Sequence, residues 1–247
     1  EKCTKMEIPP RHPYVGQLVF TAFSGSHQDA INKGMHALRE RNSKMWEVPY
    51  LPIDPSDLGR QYEPIVRINS QSGKGGVAYV MESMYGYHLP KGLQVNFAKV
   101  IQDISEEEGE VSPERVYDTF IEQYVDIKEP YEFIKQKLID ISEDDSEFER
   151  KAEITLKDHG EVRTIVGYGN GPIDAFNENG FVYTHFLDYS EHSLSSGSSS
   201  KAAAYVYLRV KGSAVQEYGV GVHPNITTAT IKAIISAMNR IHKQLRK

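Results

Sequence analysis

His27 is the histidine whose surroundings best suit chemistry. It follows the turn-forming residues Ser24-Gly25-Ser26 and precedes a stretch with helical apolar periodicity, so we expect its imidazole in the first turn of a helix. The free N–H groups and the dipole at such an end favour an anionic ligand or a neutral imidazole. Because imidazole exchanges a proton near neutral pH, proton transfer and a plain capping role both stay open.

Other patterns that resemble known sites fail on spacing. The nine histidines include no His-x-His pair and no helical i, i+4 pair with a supporting carboxylate, so no metal site is predicted. Gly73-Lys74-Gly75-Gly76 lacks the earlier glycine and the following Ser or Thr of a P-loop, which leaves a turn leading into a helix. Pro172 occupies the place of the third glycine of the dinucleotide fingerprint that begins at Gly167.

The composition is that of an ordinary globular protein. The 247 residues are 39% hydrophobic and 25% charged, with a net charge of -6, which fits one or two domains and argues against a general nucleic-acid binder. No apolar run is long enough for a membrane span. A single cysteine, Cys3, rules out an internal disulfide. We expect a cytoplasmic protein without nucleic-acid or membrane partners.

The elements that must position these residues change in character near residue 130. Before it, turns alternate with amphipathic helices, one of them starting at Ser112-Pro113 with a serine cap and a proline in the first turn. After it, alternating apolar residues predict strands over Tyr131–Ile141, Phe148–Leu156, Val162–Val166, Phe181–Tyr189, Ala202–Val210 and Gln216–Val222, and a last helix over Thr227–Leu245. The prediction is an α+β protein, with small helical or mixed linker subdomains over 1–128 and two βββα repeats over 129–247.

Several long motifs resemble the 2-isopropylmalate synthase family. Thr21–Ile31, Val48–Pro55 and Ile68–Gly76 match, in order, the region that follows the family's catalytic barrel. The family's regulatory domain is matched by Gly169-Asn170-Gly171-Pro172, Glu191-His192, Ala202–Tyr205, Tyr218–Gly221 and Ile226–Ala229. The resemblance covers essentially the whole chain.

The resemblance implies that this chain is part of a longer enzyme. The family's (β/α)8 barrel condenses acetyl-CoA with 2-oxoisovalerate on a divalent metal, Mg²⁺, Mn²⁺ or Zn²⁺, held by an Asp and a His-x-His pair. Since the chain lacks that pair, we expect it to be inactive alone and to need no cofactor of its own. In the family, the histidine matching His27 is implicated in catalysis at the partner subunit's barrel, and the tyrosine matching Tyr50 in transmitting inhibition.

The resemblance also implies a homodimer that binds leucine as a feedback inhibitor. A leucine zwitterion requires N–H donors for its carboxylate, an acceptor for its ammonium group and a small apolar pocket. Gly169, Asn170 and Gly171 could present the donors, and Asp188 could be the acceptor. The expected pocket residues are Ile173, Tyr189, Ser193, Ala202 and Ile226.

Two alternatives remain open at this level. The chain could be the matching part of a citramalate or homocitrate synthase, with another effector. It could also be a dimerisation module that binds no effector.

Overall fold

A computed structural model describes residues 8–16, 19–20, 25–59, 68, 73–141, 150–169, 173, 184–195 and 200–246. The chain forms two compact units, Glu1–Tyr117 and Asp118–Lys247. The functional assignment of 1–128 to linker subdomains and of 129–247 to an allosteric domain stays a prediction. None of the helices within the described ranges combines the length and the apolar character that crossing a membrane requires.

The first unit is helical in its described part. Its elements are α1 (Gly25–Arg41), a short 3-10 helix (Pro55–Leu58), α2 (Gly73–Tyr85), α3 (Lys91–Glu108) and the start of α4 (Pro113–Tyr124), which continues into the second unit. Helix α3 buries Leu93, Phe97 and Ile101, which recur every four residues and therefore share one face. The predicted serine cap of α4 is present, because Ser112 Oγ accepts a hydrogen bond from the Arg115 N–H at 3.2 Å.

The glycine-rich stretch before Val77 differs from its prediction. It was expected to be a turn leading into a helix, but α2 already begins at Gly73. Val77, Val80 and Met81 are buried on this helix. Their packing fixes the helix, which then extends back over the glycines despite their low helix propensity.

The second unit contains two three-stranded antiparallel sheets, which confirms the predicted α+β class. The strands are β1 (Tyr131–Asp140), β2 (Arg150–Asp158), β3 (Glu161–Gly169), β4 (Thr184–Ser193), β5 (Ala202–Val210) and β6 (Gln216–His223), followed by helix α5 (Ile226–Leu245). The sheet orders are β1-β2-β3 and β4-β5-β6. Along the chain between β3 and β4 the structure describes one helical residue, Ile173. The rest of the helix expected at the end of the first βββα repeat lies outside the described residues.

Two strands run further than their apolar patterns indicated. Strand β3 ends at Gly169 rather than Val166, and Gly169 pairs with Arg150 across the sheet. Strand β4 ends at Ser193 rather than Tyr189, where it pairs with Ala202. In both cases the neighbouring strand supplies hydrogen-bond partners that outweigh the weak strand preference of glycine and serine.

Helix α5 is buried around most of its circumference, because both sheets contribute to the same core. That core combines Ile154 and Leu156 of β2, Val206 and Leu208 of β5, and Ile231, Ile234, Ile235 and Ile241 of α5. Strand β6 packs closely on α5 at two glycines. A Cβ atom on Gly221 would lie 2.0 Å from the carbonyl oxygen of Ala229, and one on Gly219 would lie 2.2 Å from the carbonyl oxygen of Ala233. Side chains are excluded from this contact.

Polar side chains of α5 also anchor the segment before β1. Asn239 donates to the carbonyl oxygens of Ile127 at 2.6 Å and Tyr131 at 2.7 Å, and accepts from the Tyr131 N–H at 2.9 Å. Ser236 donates to the Tyr124 carbonyl oxygen at 2.7 Å. Asn239 and Ser236 are almost fully buried, so these bonds satisfy groups that water cannot reach.

Candidate functional site

The two residues assigned to catalysis and its regulation lie against each other. The imidazole of His27, in the first turn of α1, stacks on the phenol ring of Tyr50 with 4.1 Å between ring centroids and 27° between planes. Both side chains are exposed, Tyr50 at 60%. The pair therefore presents an aromatic surface to solvent.

Helical spacing places His27 beside the segment that carries Tyr50. His27, Ile31 and Gly34 follow at i, i+4 and i+7 on one face of α1. Ile31 is buried with Val48, Leu51 and Phe20 in a small core. At Gly34 a Cβ atom would lie 2.5 Å from Pro49 Cδ, so the absence of a side chain lets the chain before Tyr50 approach α1.

The backbone at Tyr50 is held in an uncommon conformation. Its φ is 64°, in the left-handed region, which costs a residue with a side chain about 1 kcal/mol. The indole N–H of Trp46 donates to the Leu51 carbonyl oxygen at 2.7 Å. This bond, with the burial of Val48 and Leu51, closes the turn that aims the Tyr50 ring at His27.

This arrangement leaves the imidazole available for proton exchange. Among the side chains that the structure describes, none hydrogen-bonds either ring nitrogen of His27. The stacked phenol fixes the plane of the imidazole while its edge stays open. A substrate or a second subunit could therefore reach it.

The predicted effector residues converge where β4, β5 and β6 meet the start of α5. Ala202 pairs with Ser193 on one side and with His223 on the other. Ile226, the first residue of α5, follows closely after His223 and is half-buried against the core. Ser193, Ala202 and Ile226 thus lie at the same end of the sheet.

Tyr189 joins this group through a hydroxyl network. Its oxygen lies 2.9 Å from Thr230 Oγ1 and also hydrogen-bonds the Glu191 carboxylate. Thr230 Oγ1 in turn lies 3.0 Å from the Ile226 carbonyl oxygen. Burial, reinforced by Glu191, raises the pKa of Tyr189 to about 12, so its hydroxyl stays neutral and can donate.

Asp188 is not brought to this group. A β-bulge between Phe186 and Asp188 inserts one residue into β4, so that Tyr189 pairs with the core residue Val206 and Asp188 pairs with Tyr207. Because side chains alternate along a strand, Asp188 lies on the opposite face of the sheet from Tyr189.

The other predicted effector residues belong to the first repeat. Gly169 is the last residue of β3, and Ile173 packs against the shared core. Asn170 and Gly171 lie outside the described residues.

Sequence reasoning missed Glu191 and Thr230 as partners of Tyr189. Glu191 stands two positions after Tyr189, so strand alternation places both on one face. Thr230 stands four positions after Ile226, so helical spacing places both on one side of α5. Both spacings are visible in the sequence. They place Glu191 and Thr230 near Tyr189 only because the bulge turns Tyr189 to the face of the sheet that packs on α5.

The described residues hold no group of three or more His, Cys, Asp or Glu side chains that could bind a metal ion.

Comparison with known proteins identifies the second unit. Residues 110–242 match a family model described as the LeuA allosteric (dimerisation) domain. The chain belongs to this family. Residues 17–82 match a second model, described as alpha-isopropylmalate synthase, post-catalytic domain-like. The LeuA match contains the Tyr189 network and α5 up to residue 242, whereas the post-catalytic match contains His27 and Tyr50.

The curated relatives of this LeuA-family chain include proteins named 2-isopropylmalate synthase. That of Clostridium acetobutylicum is 49% identical over 246 residues, covering 97% of this chain and 44% of the relative. Those of Mycobacterium ulcerans and Agrobacterium fabrum are 48% and 49% identical, over 97% and 100% of this chain and 44% and 45% of their own lengths. The predicted resemblance is confirmed, and the chain spans less than half the length of these relatives.

Proposed function

We propose that this chain is the linker and allosteric part of a 2-isopropylmalate synthase that binds leucine as a feedback inhibitor. The LeuA family match over residues 110–242 and the shared name of the relatives support this function. The whole enzyme would condense acetyl-CoA with 2-oxoisovalerate in the cytoplasm. The chain would form a homodimer, in line with the description of its family as a dimerisation domain.

The observation that carries the effector site is the Tyr189 network at the start of α5. Leucine requires an acceptor for its ammonium group beside a small apolar wall. Glu191, which hydrogen-bonds Tyr189, supplies a carboxylate on the same face of β4, and Ile226 and Ala202 supply apolar surface. We therefore propose Glu191 as an ammonium acceptor, in preference to Asp188 on the other face.

The linker would act on the catalytic barrel of the assembled enzyme. There His27 would exchange a proton with a reacting group, since its imidazole edge is open. Tyr50, stacked on His27, would couple the effector domain to that imidazole. The barrel's metal would be held by residues other than those described for this chain.

Calorimetric titration with leucine, isoleucine and lysine tests the effector. Of the three amino acids, only leucine should give heat of binding. Glu191→Gln should weaken leucine binding more than Asp188→Asn does. Binding of isoleucine or lysine instead would point to a citramalate or homocitrate synthase. A dimer in sedimentation that gives no heat with any amino acid would leave a dimerisation module, and a monomer at micromolar concentration would contradict the homodimer.

A further inference from the structure

A cleft of about 720 Å³ opens beside the last turn of α5. Its walls come from the segment 127–132, from the end of β2 with its turn, and from α5. Its charged lining comprises the cations Lys128, Lys157, Lys243 and Arg246, the carboxylates Glu129 and Glu132, and the imidazoles His159 and His242. We call this region the basic cleft.

The basic cleft carries excess positive charge. Its four cations face two carboxylates, whereas the chain as a whole has a net charge of -6. Glu132 is already engaged, because its oxygens lie 2.7 Å from Lys157 Nζ and 3.7 Å from Lys128 Nζ. Over the part of the chain that the structure describes, Lys243 and Arg246 have no hydrogen-bond or ion-pair partner.

Stabilisation of the α5 C-terminus accounts for only part of this charge. Basic side chains in a last helical turn interact favourably with the exposed carbonyl groups, and Lys243 and Arg246 fit that role. Lys128 and Lys157 belong to other elements, however, and they approach the same cleft. Convergence of cations from three elements indicates a site for an anion.

The imidazoles give the basic cleft a second feature of an anion site. His159 Nδ1 lies 2.7 Å from Asp158 Oδ1, which leaves its Nε2 edge for another partner. The rings of His159 and His242 lie 5.3 Å apart by centroid. The surrounding cations disfavour a metal ion between them, whereas an anion would benefit from the same charges.

We propose that the basic cleft binds a phosphate-bearing small molecule of nucleotide size, with Lys243 and Arg246 as its main phosphate contacts. A guanidinium group suits phosphate because it can donate two parallel hydrogen bonds. The cleft's volume falls within the range of roughly 300–1,000 Å³ typical of small-molecule sites. Ile127 and Pro130 in its lining offer apolar surface to a nucleoside. This site is separate from the proposed leucine function and does not depend on it.

Titration calorimetry of the 247-residue chain with inorganic pyrophosphate, ADP and adenosine tests the proposal. Pyrophosphate and ADP should bind and adenosine should not, because the phosphates provide the attraction. The double variant Lys243→Ala/Arg246→Ala should weaken binding by roughly tenfold or more. Added sodium chloride should also weaken it, as expected for charge attraction.

A double variant with the same change in charge is the control. Lys201 and Lys211 are exposed and do not line the basic cleft, so Lys201→Ala/Lys211→Ala should bind pyrophosphate and ADP like the unmodified chain. Circular dichroism would establish that both double variants fold. The proposal is overturned by any of three results: no heat with millimolar pyrophosphate and ADP, equal weakening in both double variants, or adenosine binding as tightly as ADP.

Discussion

The imidazole of His27 rests on the ring of Tyr50, 4.1 Å away by centroid, so any shift of the Tyr50 turn must change what the imidazole contacts. Gly34 permits the approach of Pro49, and the buried residues Val48 and Leu51 hold it in place. Within the first unit, a movement of the Tyr50 turn therefore reaches the His27 imidazole directly, with no intervening residue.

In a full-length enzyme carrying this linker, His27→Ala should lower kcat by about 10²–10⁴-fold, the usual cost of losing a general acid or base. Leucine affinity should stay nearly unchanged, because His27 lies in the other compact unit from the effector residues. Release of free CoA thiol measures turnover. Exposed His36 on the same helix provides the control variant His36→Ala.

Two substitutions of Tyr50 distinguish the role of its ring from that of its hydroxyl. Tyr50→Phe keeps the stacked ring, so turnover should persist, and weaker leucine inhibition would show that the hydroxyl couples the sites. Tyr50→Ala removes the support of His27 and should lower turnover as well. Loss of turnover in Tyr50→Phe, with His27→Ala active, would mean that the two roles are assigned the wrong way round.

Gly221→Val should destabilise the second unit by about 3 kcal/mol, because the contact with the α5 backbone cannot relax around a side chain. The free energy of unfolding in urea measures this. Gln216→Val, at an exposed position of the same strand, should change it by less than about 0.5 kcal/mol. Equal effects at both positions would show that the close approach of β6 to α5 contributes nothing.

Asn239→Leu should also destabilise the chain, by roughly 1–3 kcal/mol, since backbone groups of Ile127 and Tyr131 lose their buried partner. Gln244→Leu, exposed near the end of α5, is the matched control. The urea concentrations at the unfolding midpoints of the two variants test this prediction. An unchanged midpoint for Asn239→Leu would show that water replaces the amide.

Stability should fall as pH drops below about 6.5, partly through His242. Burial, with Arg246 and His159 nearby, lowers the pKa of His242 from its usual 6.5. The unfolded chain then binds a proton at His242 more readily than the folded chain does. The contribution of neutral His242 to the free energy of unfolding is therefore fully present above pH 6.5, and it is lost as the pH falls from 6.5 through the lower pKa of the folded state. Between pH 7 and 5, His242→Gln should make the free energy of unfolding decline less steeply than it does in the control His185→Gln. An unchanged slope would contradict the assignment of this decline to His242.

Periodicity was enough to predict most of the helices and strands, because α3, α5 and the strands bury residues at regular intervals. Periodicity could not predict which side chains of β4 lie on which face of the sheet. One inserted residue between Phe186 and Asp188 exchanges the sides on which Asp188 and Tyr189 lie, and nothing in the local residue types marks a bulge. The stacking of His27 on Tyr50 likewise depends on a left-handed φ at Tyr50, which tyrosine rarely adopts.

The glycines that bring β6 onto α5 have a consequence for cooperativity. Gly219 and Gly221 weaken the intrinsic tendency of β6 to remain extended, so the strand depends on the helix that covers it. The amide hydrogens of β6 and α5 should then exchange with solvent in a single opening event, at rates that change together. The last strand and the last helix would behave as one foldon, so that a ligand stabilising the start of α5 would also slow exchange along the sheet edge.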